Sequence, residues 1–261
     1  MNTETSEAIS KVPQVTFLFW LIKIAATTLG ETGGDAVTMS WLGETTGEAT
    51  GWGYLLGTAI FGSIFVAAVL IQIKAKAFRP FLYWFTIIAT TTLGTTLADF
   101  ATRSLGIGYP GGSAILFVLL VASLAVWRWS MGSISVESIT SAKAEMFYWG
   151  TIMFSQTLGT ALGDWVADDS GLGYLGAAAI FGGILLVTIV LYFWTSVSHT
   201  ILFWVAFIVT RPLGAVLGDF LDKPIADGGL ELSRYTASIV LLIFIIGCLF
   251  IFRPKAAEAA H

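Results

Sequence analysis

Apolar runs of about 20 residues recur along the whole chain, separated by short polar or glycine-rich stretches. Four of them, roughly Tyr54–Ile73, Pro110–Trp129, Tyr174–Trp194 and Tyr235–Phe252, are almost free of charge. Each is near the length a membrane-spanning helix needs. Four others begin near Gln14, Arg79, Glu145 and His199 and set acids, hydroxyls and amides inside an otherwise apolar pattern. The two kinds alternate, which predicts four helix pairs. The expected fold is an all-α polytopic membrane protein with eight transmembrane helices as four tandem helix pairs.

Register strengthens this reading. Aligning the polar-containing segments on an L-G dipeptide superposes Gly30, Gly94, Gly159 and Gly214. An aspartate follows each glycine by five residues (Asp35, Asp99, Asp164, Asp219), and a tryptophan precedes each by ten (Trp20, Trp84, Trp149, Trp204). Such self-similarity at a fixed period marks a repeat architecture. The expected organisation is a tail at 1–13, repeats at 14–76, 79–131, 145–196 and 199–254, and a tail at 255–261. Gly53–Ile64 further resembles Gly173–Ile184, so repeats one and three look closest, as if a four-helix unit had been duplicated.

Composition agrees: 56% of the 261 residues are hydrophobic and 11% charged, against about 25% charged in soluble domains. The single cysteine, Cys248, forbids an internal disulfide and lies in an apolar run. His199 and His261 form no cluster, so histidine-rich zinc or haem ligation is unsupported. The start of the chain lacks the basic region and cleavage site of a secretory signal. Tails and connections between repeats hold Lys11, Lys74, Lys76, Arg79, Arg128, Lys143, Arg253 and Lys255, whereas connections within repeats hold Arg103, Lys223 and Arg234. The within-repeat connections are rich in acid: Glu44, Glu48, Asp168, Asp169, Asp222, Asp227 and Glu231. The bias of basic residues predicts that both termini are cytoplasmic. With two helices per repeat, all four share one orientation and their motifs lie at one depth.

The common motif is L-G-x-x-x-[GA]-D. Gly30 and Gly34, Gly94 and Ala98, Gly159 and Gly163, and Gly214 and Gly218 have the small-xxx-small spacing that lets membrane helices approach closely. Packing accounts for these small residues, and Trp20, Trp84, Trp149 and Trp204 read as packing anchors. It does not account for the aspartates. A charge near the bilayer centre costs at least about 2.5–3.5 kcal/mol. Each aspartate also lies near the C-terminal end of its helix, where the dipole disfavours acid. A metal ion, a proton or a basic side chain nearby would explain the placement.

Glu31, Asp35, Asp99, Asp164 and Asp219 are thus the candidate cation- or proton-binding residues, and Asp35, Asp99, Asp164 and Asp219 the candidate metal ligands. Lys23, Thr27, Thr91, Gln156 and Arg211 are candidates for a polar path or for charge partners of the acids. Lys23, Thr27, Glu31 and Asp35 recur every fourth residue and form one stripe on the first helix. Arg211 aligns with Thr27, Thr91 and Gln156, and Pro212 follows it, so the fourth repeat is expected to carry a kinked helix with a fixed positive charge.

Through the four tryptophans and the four motifs, the chain resembles a family of bacterial integral membrane proteins built from four tandem two-helix repeats of unknown function, each with a characteristic tryptophan. The resemblance covers Gln14 to about Pro254 and implies the architecture but no activity. The motifs also have a weaker similarity to the duplicated E-x-G-D of cation/proton exchangers. They depart from it, because only Glu31 is present, in E-x-x-x-D spacing, with no basic residue directly after the aspartate.

Two functions follow as expectations. One is a secondary transporter of a small cation, a divalent metal such as manganese among the candidates, coupled to protons through intramembrane carboxylates. The other is a non-transporting scaffold or partner subunit whose motifs serve helix packing. An enzyme is not expected: no Ser–His pair, H-E-x-x-H or nucleotide-binding loop is present, and the G-x-G-D of intramembrane proteases lacks its first glycine each time. The expected partners are the lipid bilayer and a small cation or proton, with no nucleic acid and no cofactor.

Overall fold

A computed structural model describes residues 10–44, 51–136 and 139–257. Glu48, His261 and the outer parts of both tails lie outside them. Eight long helices account for most of the described residues: α1 (Phe17–Asp35), α2 (Trp52–Lys74), α3 (Pro80–Asp99), α4 (Gly108–Met131), α5 (Ala142–Asp164), α6 (Gly173–Trp194), α7 (His199–Asp222) and α8 (Arg234–Phe252). Their starts follow local chemistry. Thr16 and Ser141 accept the backbone N–H of Phe19 and Ala144, which caps α1 and α5. Pro80 opens α3, where its missing N–H costs nothing. The Glu44 carboxylate accepts the N–H groups of Gly51 and Gly53 and so anchors the start of α2.

The helices form two layers. Helices α1, α3, α5 and α7 make a closed inner ring in which each touches the next and α7 returns to α1. The outer helices do not lie on their own partners. Instead, α2 packs on α3, α4 on α5, α6 on α7, and α8 closes the circle on α1. Each repeat therefore covers the flank of the following one. Residues 12–14 and 255–257 meet at the closure: Pro13 bridges Ala256 antiparallel, Gln14 N–H donates to Lys255 C=O at 3.0 Å, and Ala257 N–H donates to Val12 C=O at 2.8 Å.

Among the described residues, six helical stretches are long and apolar enough to cross a membrane: α2, α3 with its extension to Ser104, α4, α6, α7 and α8. The chain reads as a multi-pass membrane protein. Helices α1 and α5 fall short because polar residues dilute their apolar runs: Lys23, Thr27, Thr28, Glu31 and Thr32 in one, and Thr151, Ser155, Gln156, Thr157 and Thr160 in the other.

The aspartates end the α-helical part of the first three inner helices, but the chain stays helical beyond them. Ala36–Trp41, Phe100–Ser104 and Trp165–Asp169 continue as wider π-helical turns, and α7 runs on from Asp219 to Asp222. Backbone N–H groups past the aspartate still reach carbonyls before it, as Ala36 does to Thr32, Gly33 and Gly34. The expectation that each aspartate lies near the C-terminal end of its helix is therefore corrected for the first three repeats, where helical backbone runs five or six residues further. Pro212 lies within α7, which stays helical on both sides of it.

Candidate functional site

Numbering each inner helix from its motif glycine turns the ring into a stack of four-membered levels. At minus seven stand Lys23, Ile87, Ile152 and Phe207; at minus three, Thr27, Thr91, Gln156 and Arg211; at plus one, Glu31, Thr95, Thr160 and Ala215; at plus five, Asp35, Asp99, Asp164 and Asp219. All sixteen are at most 4% exposed. The stripe of Lys23, Thr27, Glu31 and Asp35 contributes one residue to every level.

The glycines set the spacing of the ring. A Cβ placed on Gly30 would stand 2.3 Å from Thr91, on Gly94 2.8 Å from the Gln156 carbonyl carbon, on Gly159 2.2 Å from Arg211, and on Gly214 2.1 Å from Thr27. Each glycine thus makes room for the minus-three residue of the next repeat, and the fourth does so for the first. One turn further, Gly34 meets Thr95, Gly163 meets Ala215 and Gly218 meets Glu31. Small-xxx-small pairing here brings inner helices together while admitting polar side chains between them.

The tryptophans build a floor. Phe19 packs on Trp84, Tyr83 on Trp149, Tyr148 on Trp204 and Phe203 on Trp20, with ring centroids 5.4, 5.6, 6.4 and 5.8 Å apart. The Tyr83 and Tyr148 hydroxyls share a hydrogen bond of 2.6 Å. One end of the ring's axis is therefore filled with aromatic side chains.

At the opposite end the charges converge. The Arg211 guanidinium donates through Nη2 to Glu31 Oε2 at 2.9 Å, to Thr95 Oγ1 at 2.6 Å and to Thr160 Oγ1 at 2.5 Å. Arg103 bridges Asp99 at 2.9 Å and Asp164 at 3.6 Å. Lys223 bridges Asp219 at 3.0 Å and Asp35 at 2.8 Å. Arg234 pairs with Asp222 at 3.2 Å. Burial opposes the charge on Lys223, but Asp219, Asp35 and Asp222 outweigh it and raise its pKa well above the ordinary ammonium value. Two sets of carboxylate oxygens lie within 4.8 Å of one another: Glu31, Asp164 and Asp219, and Asp35, Asp219 and Asp222. Carboxylate oxygens gathered this closely suit a hard cation. Asp35 Oδ1, Asp99 Oδ2, Asp164 Oδ1 and Asp222 Oδ1 are buried with no hydrogen-bond partner among the described residues.

These contacts revise the expected set. Arg211 does serve Glu31, but Lys23 serves no carboxylate among the described residues. It lies eight residues before Glu31, about 12 Å lower along the axis at 1.5 Å per residue, and its Nζ sits 4.0 Å from the Phe207 ring centroid. Asp99, named as a metal ligand, belongs to neither convergent set. The actual partners of the aspartates are Arg103 and Lys223, which sequence reading had placed in outward connections with Arg234 and Asp222. The register held a signal for them: Arg103 and Lys223 both stand nine residues after the motif glycine, in repeats two and four, where repeats one and three have Met39 and Asp168. Each spans from its own aspartate to that of the next repeat. The pattern is two-fold rather than four-fold.

The profile of a family described as Repeat of Unknown Function (DUF347) matches residues 18–78, 82–133, 147–198 and 202–253. No curated protein and no solved structure matches the chain.

Proposed function

From the premise that the chain belongs to the DUF347 repeat family, whose description assigns no activity, we propose that it is a secondary transporter of a small cation, coupled to protons. In this reading all eight helices span the bacterial inner membrane and both termini are cytoplasmic. The outer helices face lipid, and α1 and α5 cross because Lys23, Thr27, Glu31 and Asp35 of one and Gln156, Thr160 and Asp164 of the other are buried inside the ring.

The observation that carries the proposal is the convergence of Glu31, Asp164 and Asp219, three buried carboxylates from three different repeats. Ionisable residues inside a membrane bundle usually mark an ion or proton pathway. Glu31, Asp35, Asp99, Asp164 and Asp219 give five formal negative charges, and Asp222 a sixth; Arg103, Arg211, Lys223 and Arg234 supply four positive ones. The difference, two negative charges, suits one divalent cation or two protons. A cation entering the trio would compete with Arg211 for Glu31, with Arg103 for Asp164 and with Lys223 for Asp219. Binding would thereby loosen ties between repeats, a route to alternating access.

The same ion pairs favour a second reading, a non-transporting scaffold in which the acids and bases only hold the ring together. Thermal unfolding in detergent separates the two. A ligand of the native state stabilises by mass action, about 2.7 kcal/mol at a hundredfold its Kd. The transporter reading expects a saturable rise in Tm with one cation from a panel of Mn²⁺, Ca²⁺, Mg²⁺, Na⁺ and K⁺, and its loss in the double variant Asp164→Asn, Asp219→Asn. The scaffold reading expects those substitutions to lower Tm with no cation dependence in either protein.

A further inference from the structure

Below the Glu31–Arg211 pair the axis changes character. The minus-three and minus-seven levels present Thr91 Oγ1, both polar atoms of the Gln156 amide, Arg211 Nε and Nη1, and Lys23 Nζ. None has a hydrogen-bond partner among the described residues, and all four side chains are wholly buried. Buried polar groups normally find partners, and an uncompensated buried charge is costly. Most of these atoms are donors: an ammonium, two guanidinium nitrogens, an amide N–H₂ and a hydroxyl. The formal charge of Lys23 and Arg211 against Glu31 is one positive. The flanking level offers no acid, since it is the aromatic floor. Glu145, in the first turn of α5, is held by Lys11 at 2.5 Å.

We propose that these two levels together bind a small monovalent anion, of the size of a halide or formate, between Lys23 and Arg211. The anion supplies the charge that Lys23 lacks and accepts from the Arg211, Gln156 and Thr91 donors. The site is separate from the carboxylate convergence above it and does not rest on cation transport. Lys23 is peculiar to the first repeat, where the other three have Ile87, Ile152 and Phe207, so the pseudo-symmetric ring would hold a single anion off its axis, toward α1.

Equilibrium binding of radiolabelled chloride to the purified full chain in detergent tests this, with unlabelled bromide, nitrate and formate as competitors. The expected result is saturable binding at a single site per chain, displaced by at least one competitor. Binding should drop at least about tenfold in Lys23→Met and persist in Asp164→Asn. Melting at constant ionic strength gives a second readout. Replacing gluconate by chloride should raise the Tm of the wild type but not of Lys23→Met. Should Lys23→Met not fold, Gln156→Leu takes its place in both assays. Wild-type protein that is folded yet binds none of these anions, holding ordered water there only, overturns the proposal. So does unchanged chloride binding in Lys23→Met.

Discussion

The inner and outer helices invert the usual order of a soluble protein. In the apolar windows of α3 and α7, 72% of residues are buried, against 22% in α2, α4, α6 and α8. The buried helices are the polar ones. Exposed Val118, Leu186, Val187, Ile243 and Phe250 lie on the outer layer, while Lys23, Arg211, Glu31 and the four aspartates are hidden within. Water would make this arrangement untenable, because the outer face has nothing to bury against. Lipid makes it sound: the outer face meets hydrocarbon, and the acids pair with Arg103, Arg211, Lys223 and Arg234 inside. What holds the ring is therefore close packing and ion pairing rather than burial of oil.

That contrast ranks the consequences of substitution. The largest effect is expected at Arg211. Arg211→Met leaves Glu31 buried without its partner and should destabilise by about 3–5 kcal/mol. Adding Glu31→Gln should recover much of the loss, which unfolding of the two variants side by side would read. Next come the glycines that set helix spacing. Gly214→Val pushes a side chain against Thr27 and should cost about 3 kcal/mol, the upper end for overpacking, with loss of the folded species on gel filtration. Arg103→Gln comes third. It strips buried Asp99 and Asp164 of their base, but the Arg103 side chain is itself 34% exposed, so water takes over part of the role and about 2 kcal/mol is expected. Smallest is an outer-layer change such as Val187→Ala. Lipid replaces the lost contacts, and the shift should stay within about 0.5 kcal/mol. A Val187→Ala protein as unstable as Gly214→Val would break the distinction between the layers.

Much of this was written in the sequence. The repeat register marked Gly30, Gly94, Gly159 and Gly214, and those glycines do set the helix spacing. The stripe from Lys23 to Asp35 was visible because every fourth residue shares a helix face. Ring closure was not legible. Nothing in the spacing says that α2 leans on α3 rather than α1, since outer faces that meet lipid are uniformly apolar and carry no partner code. The ion pairs were half legible. Arg103 and Lys223 looked like loop charges because a helix was expected to stop at the aspartate. The π-helical extension past Asp99 and the continuation of α7 past Asp219 carry these side chains back over the ring, one turn beyond their acids. Lys23 was not legible as the partner of a ring rather than of an acid: sharing a stripe with Glu31 placed it on the right face but two turns away.

Flux through liposomes holding the purified protein tests the carboxylate account most directly. Mn²⁺, Ca²⁺, Mg²⁺, Na⁺, K⁺ and a quaternary amine would be offered in turn, with a pH dye inside and Asp164→Asn as the control. The account predicts flux of one metal cation, a matching pH change, and loss of both in Asp164→Asn. Folded wild-type protein that moves none of these cations, or an Asp164→Asn protein that moves them at the wild-type rate, would contradict it.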